Sequence, residues 1–188
     1  MKKVLLIALV LCLLISCASL PNTQGSEYMA TVEDTETSNG KWKQKYFVDE
    51  FDSYTDEAYI STSISGTFTN SATNGSRLGG TFLITKDCVE IKLLEYGSHP
   101  VTLIGEKRSI TVRMKAGGVT TDLGYVSFGS HRVIIHNTQP IFQALAENDT
   151  VSFYIAISNY GTSTYNFSIS GNGFVHTYKT TFPITIEQ

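Results

Sequence analysis

Val151-Ser152-Phe153-Tyr154-Ile155-Ala156-Ile157-Ser158, followed after a polar break by Tyr165-Asn166-Phe167-Ser168-Ile169, decides the fold class. Val151, Phe153, Ile155 and Ile157 alternate with Ser152, Tyr154, Ala156 and Ser158, and Tyr165, Phe167 and Ile169 alternate with Asn166 and Ser168. Side chains on a strand point to opposite faces in turn, so each run buries one face and wets the other. With Asn159-Tyr160-Gly161-Thr162 as the turn, the two runs predict an antiparallel pair that Gly171-Asn172-Gly173 ends.

The same period of two recurs upstream. Val89, Ile91 and Leu93 alternate with Glu90 and Lys92, and Ile110, Val112 and Met114 with Thr111, Arg113 and Lys115. The runs 64–69 and 80–85 flank a polar loop containing Asn74-Gly75, a hairpin signal. Gly117-Gly118 predicts a turn into a strand over 119–128, and Gly129-Ser130 a turn into 133–135. Trp42, Tyr46 and Val48 set against Lys43, Lys45 and Phe47 predict a half-buried first strand. Only Ile141, Phe142 and Leu145 recur at helical spacing, behind Thr138 or Gln139 as cap and Pro140 in the first turn, where a missing N–H costs nothing. The expected fold is all-β: an antiparallel two-layer β-sandwich over about 41–186 with one short helix near 139–147. Trp42, Ile91, Val112, Phe153, Ile155, Phe167 and Ile169 are expected to face inward.

Ahead of this domain, Lys2 and Lys3 precede an apolar run from Val4 to Ile15, the layout of a secretory signal and too short to span a bilayer. The run closes on Leu14-Ile15-Ser16-Cys17, which resembles the lipobox of bacterial lipoproteins. That resemblance implies diacylation of Cys17, which then becomes the mature N-terminus. Three parts are expected: a lipoprotein signal peptide over 1–16, a lipidated Cys17 with a flexible acidic tether over 17–40, and the β domain over 41–188. From Ala18 to Gly40 the chain carries Glu27, Glu33, Asp34 and Glu36, no base and no periodicity. Such a segment spans roughly 25 Å as a flexible coil, more with like charges repelling. Ala18 after the cysteine resembles the signal for transfer to an outer membrane, and the expected location is the cell envelope, lipid-anchored.

Removal of residues 1–16 leaves 172 residues with 12 basic against 17 acidic side chains. That balance gives no basic footprint, so nucleic acid is not an expected partner. With Cys12 in the signal and Cys17 acylated, Cys88 stands alone and no internal disulfide is available. Cys88 is expected to be a buried, inert thiol, although it shares parity with Glu90 and Lys92. The densest charge, Asp49, Glu50, Asp52, Asp56 and Glu57, is read as a solvated acidic loop, with calcium the weaker alternative because no regular oxygen-ligand spacing is present. His131 and His136 lie five apart on one strand and so point to opposite faces, while His99 and His176 stand elsewhere. No nucleophile elbow, zinc motif, C-x-x-C or phosphate loop occurs, and no cofactor and no catalytic residue are assigned.

Trp42 in the first strand, the acidic stretch Val48 to Glu57, the Phe142/Leu145 helix and the closing Phe167-Ser168-Ile169-Ser170-Gly171-Asn172-Gly173-Phe174 look like the invasion-associated locus B-type β-sandwich proteins of bacterial envelopes, over about 41–178. The resemblance implies a secreted or periplasmic protein without established catalytic residues; members often carry paired cysteines, and here Cys88 is single. The expected function is a membrane-tethered, non-catalytic binding or assembly module for an envelope protein, a host component or a glycan. The alternative is a periplasmic hydrolase or metal-dependent enzyme using loop histidines and carboxylates. A diacylglycerol pair plus an amide-linked chain exceeds the two lipid signals that stable anchoring needs. Wild type is therefore expected to enter the detergent phase on partitioning, and Cys17→Ser to stay aqueous and incompletely processed; equal soluble fractions would remove the tether.

Overall fold

The computed structural model describes residues 41–102, 109–158 and 161–183. The signal peptide, Cys17, the tether over 17–40, Asn159 and Tyr160 of the expected turn, and the end of the chain past 183 lie outside the described residues.

The alternating runs become strands paired antiparallel throughout: β1 (Lys43–Val48), β2 (Tyr54–Thr69), β3 (Ser76–Ile84), β4 (Val89–Glu95), β5 (His99–Pro100), β6 (Ser109–Ala116), β7 (Val119–Asp122), β8 (Val126–Gly129), β9 (Arg132–Ile135), β10 (Thr150–Ser158) and β11 (Thr162–Ser170). Two short helices, α1 (Gln139–Glu147) and α2 (Phe174–Thr181), complete the described fold. The strands form one 11-stranded sheet in the order β7-β6-β10-β11-β2-β3-β4-β9-β8, with β1 added to β2 and β5 to β4. Its hydrogen-bonding path is open and does not divide into two sheets.

The sheet nevertheless folds over on itself. Phe82 on β3 and Phe153 on β10 approach to 5.1 Å between ring centroids although β11 and β2 stand between their strands. In a flat sheet three strand spacings would hold them about 14 Å apart. The concave side encloses one core, to which all seven residues expected to face inward belong. Burial alternates strictly along β10 and over most of β11 and β4, as the sequence pattern requires.

Strand β2 is the hub. It runs for 16 residues, and one of its edges is divided between two neighbours. β1 pairs with its first part (Lys43 opposite Ser61, Val48 opposite Tyr54), and β11 with its last part (Phe167 opposite Gly66, Thr164 opposite Thr69). The acidic stretch is therefore not one loop: Asp49 to Ser53 turn the chain, while Tyr54 to Glu57 already belong to β2. β1 also departs from simple alternation. A register shift between Tyr46 and Val48 leaves Tyr46 exposed and packs Phe47 on Tyr59, 4.7 Å away.

Three further expectations are corrected. The strand over 119–128 is two strands, broken where Leu123 turns into the core and Tyr125 takes a left-handed φ of 58°. The turn expected at Gly129-Ser130 falls one residue later, because Gly129 pairs with Arg132 and leaves Ser130 and His131, at φ 47° and 60°, to make the bend. The chain after Gly173 forms α2, which hydrophobic spacing did not announce because two of its buried residues are Thr177 and Thr181. α1 lies where expected, with Thr138 as N-cap and Ile141, Ala144 and Leu145 buried.

Gly66 is the residue the β2–β11 crossing depends on. A Cβ there would lie 2.0 Å from the Asn166 carbonyl oxygen and 2.8 Å from the Phe167 Cβ, so both strands would have to separate. Gly118, at φ 84° with open space around it, would bear only backbone strain. Gly66→Ala is expected to cost about 3 kcal/mol, lowering Tm by about 6–12 °C, against about 1–2 kcal/mol for Gly118→Ala. Thermal melts of both variants test the order, and equal losses would show that the crossing can relax.

Candidate functional site

The two ends of the folded sheet are chemically different. β11 connects them: its last residue, Ser170, accepts a hydrogen bond from Trp42 Nε1 at 2.8 Å, and its first turn of chain opens on a pocket. At the Trp42 end, Phe174 packs 5.4 Å from Trp42, and Phe142, Tyr178 and Phe182 continue the aromatic stack onto both helices. That end is closed by apolar side chains. Tyr165 lies five residues earlier, about 17 Å away along an extended strand.

Tyr165 follows the inward parity of Phe167 and Ile169 and is 1% exposed. A buried phenol needs a partner, and its hydroxyl donates to Glu95 Oε1 at 2.9 Å. Glu95 closes β4 on the inward parity of Val89, Ile91 and Leu93, which brings a carboxylate to the end of the core. Asn70, in the β2–β3 loop, donates through Nδ2 to Glu95 Oε2 at 3.3 Å. These three residues line a half-open pocket of about 330 Å³ with Val101 and Ile157 as its buried apolar wall and Thr102 and Ser163 at its polar rim. Burial, then the hydrogen bond and charge of Glu95, push the Tyr165 hydroxyl far above the ordinary tyrosine range.

A second, shallower hollow of about 350 Å³ lies on the convex face, lined by Arg113, Lys115, Thr120, Ser152, Tyr154 and Asn166. Register sets a row across it: Asp122 opposite Arg113, Arg113 opposite Tyr154, Tyr154 opposite Asn166, Asn166 opposite Thr67, and Thr67 opposite Arg77. The row follows the curl of the sheet over six adjacent strands, and its part inside the hollow, Arg113, Tyr154 and Asn166, spans three of them, roughly 10 Å at the usual spacing. Arg113 and Asp122 approach to 3.8 Å with both side chains more than half exposed, an ion pair that water largely screens.

The carboxylates singled out in the sequence do not converge. Asp49 Oδ1 accepts the backbone N–H groups of Phe51 and Ser53, each at 2.9 Å, which fixes the tip of the β1–β2 hairpin. Glu50, Asp52, Asp56 and Glu57 are exposed around it. Among the described residues no group of three or more His, Cys, Asp or Glu is placed to hold a metal ion. The histidines are dispersed: His99 meets Ser98 Oγ at 3.2 Å, His131 meets Thr102 Oγ1 at 3.5 Å, and His136 meets Ser127 Oγ at 3.0 Å under the exposed ring of Tyr125. Cys88 is half-buried rather than buried, in the β3–β4 turn, with its Sγ 3.4 Å from Thr85 Oγ1 and 3.8 Å from Glu90 Oε1. Burial and the neighbouring Glu90 and Asp87 charges raise its thiol pKa, against the lowering hydrogen bond from Thr85, and the net rise disfavours the thiolate. Glu90 itself is paired with Arg132 on the neighbouring strand.

With this geometry in place, no family model, no curated protein and no solved structure matches the chain. The site must be read from its own chemistry. Neither the Glu95 pocket nor the Tyr154 row was singled out from the sequence, although the inward parity of Glu95, an acid continuing an apolar alternation, was the signal for the first.

The pocket makes a pH-dependent contribution to stability. The folded-state pKa of Tyr165 lies above its unfolded value of 10.0. Its contribution is thus fully present below that value and is lost as pH rises above it, because the unfolded chain releases the proton first. Tyr165→Phe is expected to lose stability at neutral pH, by about 1.5–3 kcal/mol for the hydrogen bond to a charged partner, and to show a flatter decline above pH 10 than wild type. Urea melts on both sides of that pH check this, and parallel alkaline declines would contradict it.

Proposed function

We propose that the chain is a membrane-tethered envelope lipoprotein whose folded part is a non-catalytic module binding an envelope glycan, with the coiled sheet acting as two facing layers of the β-sandwich kind. The proposal keeps Cys17 as the lipid anchor, the acidic tether as spacer, and the outer membrane as its seat. It is the kind of protein that a resemblance to the invasion-associated locus B group implies.

The single observation that carries the binding reading is the row through Tyr154. Arg113, Tyr154 and Asn166 have the opposite parity to the core, so nothing in the packing of the fold requires an arginine, a tyrosine and an asparagine side by side. A tyrosine ring offers an apolar face to the C–H side of a pyranose, while guanidinium, amide and hydroxyl groups beside it bond the sugar hydroxyls. The part of the row inside the hollow, Arg113, Tyr154 and Asn166, spans three strands, roughly 10 Å, room for a short run of linked sugars. The two-layer reading is supported by the contact of Phe82 with Phe153 across the core.

Co-sedimentation of the detergent-solubilised full chain with purified peptidoglycan tests the proposal. Wild type is expected in the pellet, and Tyr154→Ala to lower retention about tenfold, as loss of an aromatic anchor does, with an unchanged Tm. A wild-type chain that stays in the supernatant, or a Tyr154→Ala variant that pellets equally, would sink it.

A further inference from the structure

We propose that the pocket at the open end of the sheet is a second binding site, for a small primary amine held as its ammonium ion by Glu95. This goes beyond the glycan row, with which the pocket shares no lining residue.

The geometry of the carboxylate carries the inference. Glu95 is anchored on both oxygens, Oε1 by the Tyr165 hydroxyl at 2.9 Å and Oε2 by the Asn70 amide at 3.3 Å. An ionised carboxylate offers about four acceptor sites, so two remain. Among the described residues no Lys, Arg or His lines the pocket. A half-buried negative charge held by two neutral donors is under-compensated, and a cationic donor is the ligand that relieves it most. If the only need were a partner for the Tyr165 hydroxyl, a neutral acceptor would serve without the cost of placing a charge at the end of a core.

The rest of the pocket sets the body of the ligand. Its volume of about 330 Å³ is near the lower end of the range for small-molecule sites, roughly 300–1,000 Å³, so it suits one small molecule. Val101 and Ile157 supply an apolar wall, and Thr102 and Ser163 supply hydroxyls at the rim. An aliphatic amine and an amino sugar share the required chemistry, an ammonium group on a body of a few carbons. They are separated by whether added hydroxyls strengthen or weaken binding.

Ligand-observed NMR of the full chain in detergent, with n-butylamine, glucosamine, n-butanol and N-acetylglucosamine as probes, tests the site. At least one amine is expected to bind at least about tenfold more tightly than its neutral counterpart, the worth of a charge-assisted hydrogen bond. Glu95→Gln, close in shape, is expected to abolish that preference while peptidoglycan retention is unchanged. Thr162→Phe, an exposed position on the pocket mouth, is expected to block both amines while leaving Glu95 and its two donors in place. No binding of either amine to folded wild type, equal binding of amines and neutral analogues, or undiminished preference in Glu95→Gln would each overturn the site.

Discussion

The shared edge of β2 is the constraint on which the rest of the structure depends. A strand edge can pair with one neighbour at a time, yet β1 and β11 both pair along the same side of β2, one after the other. Where one ends and the other begins, backbone groups would be left open to the core, and unpaired buried groups are costly. Trp42, immediately before β1, addresses this. It is 1% exposed, its indole N–H reaches the Ser170 carbonyl, and its ring packs edge-on against Phe82 and tilted against Phe174. One side chain thus ties the first strand, the last strand, the centre of the sheet and α2 together. Removing such a ring from a core costs about 3–5 kcal/mol.

The curl of the sheet follows from the same arrangement. Because Gly66 allows β11 to come close against the last part of β2, β10 and β6 continue the sheet round toward β3, and the concave side closes on Phe82, Phe153 and Phe167. A sheet rolled this way has two ends that must be dealt with separately. α1 and α2 supply aromatic rings to one. The other is left with the ends of strands, whose inward positions there carry Tyr165 and Glu95 in place of aliphatic side chains. A pocket at the open end is therefore a consequence of the topology, and its polarity is a matter of which residues fall there.

What the sequence made legible, and what it hid, divides along the same physical line. β4, β6, β10 and β11 have one face on the core and one in water, so strict alternation marked them and the buried residues were identified correctly. α1 was marked by Pro140 and by apolar residues one turn apart. The first part of β2 was hidden because Tyr54, Asp56 and Glu57 are exposed there, so the strand carries the composition of a loop. α2 was hidden because buried threonines do not register as an apolar face. The bend at Ser130 and His131 was misplaced for a different reason. Left-handed residues in a two-residue turn are usually Gly or Asn, and neither stands there, so backbone pairing outweighed local preference. The Tyr165–Glu95 contact joins residues 70 positions apart, and only the register of the whole sheet brings them together.

The Glu95 pocket also differs from the rest of the core in what holds it together. The core cluster elsewhere is built from hydrophobic side chains, and the other partly buried carboxylate in β4, Glu90, is paired with Arg132 one strand away. Among the described residues Glu95 is bonded by the neutral donors Tyr165 and Asn70, and its position follows from strand parity that would equally accept a leucine or valine. An aliphatic residue there would extend the core and remove the charge, at the expense of an acceptor for Tyr165, which a phenylalanine would make unnecessary, and of one for the Asn70 amide. Replacing a polar pair by packed apolar residues of similar volume is commonly neutral or stabilising. The pair is thus a feature that folding alone does not demand, and such departures from local consistency concentrate where a protein meets its ligands.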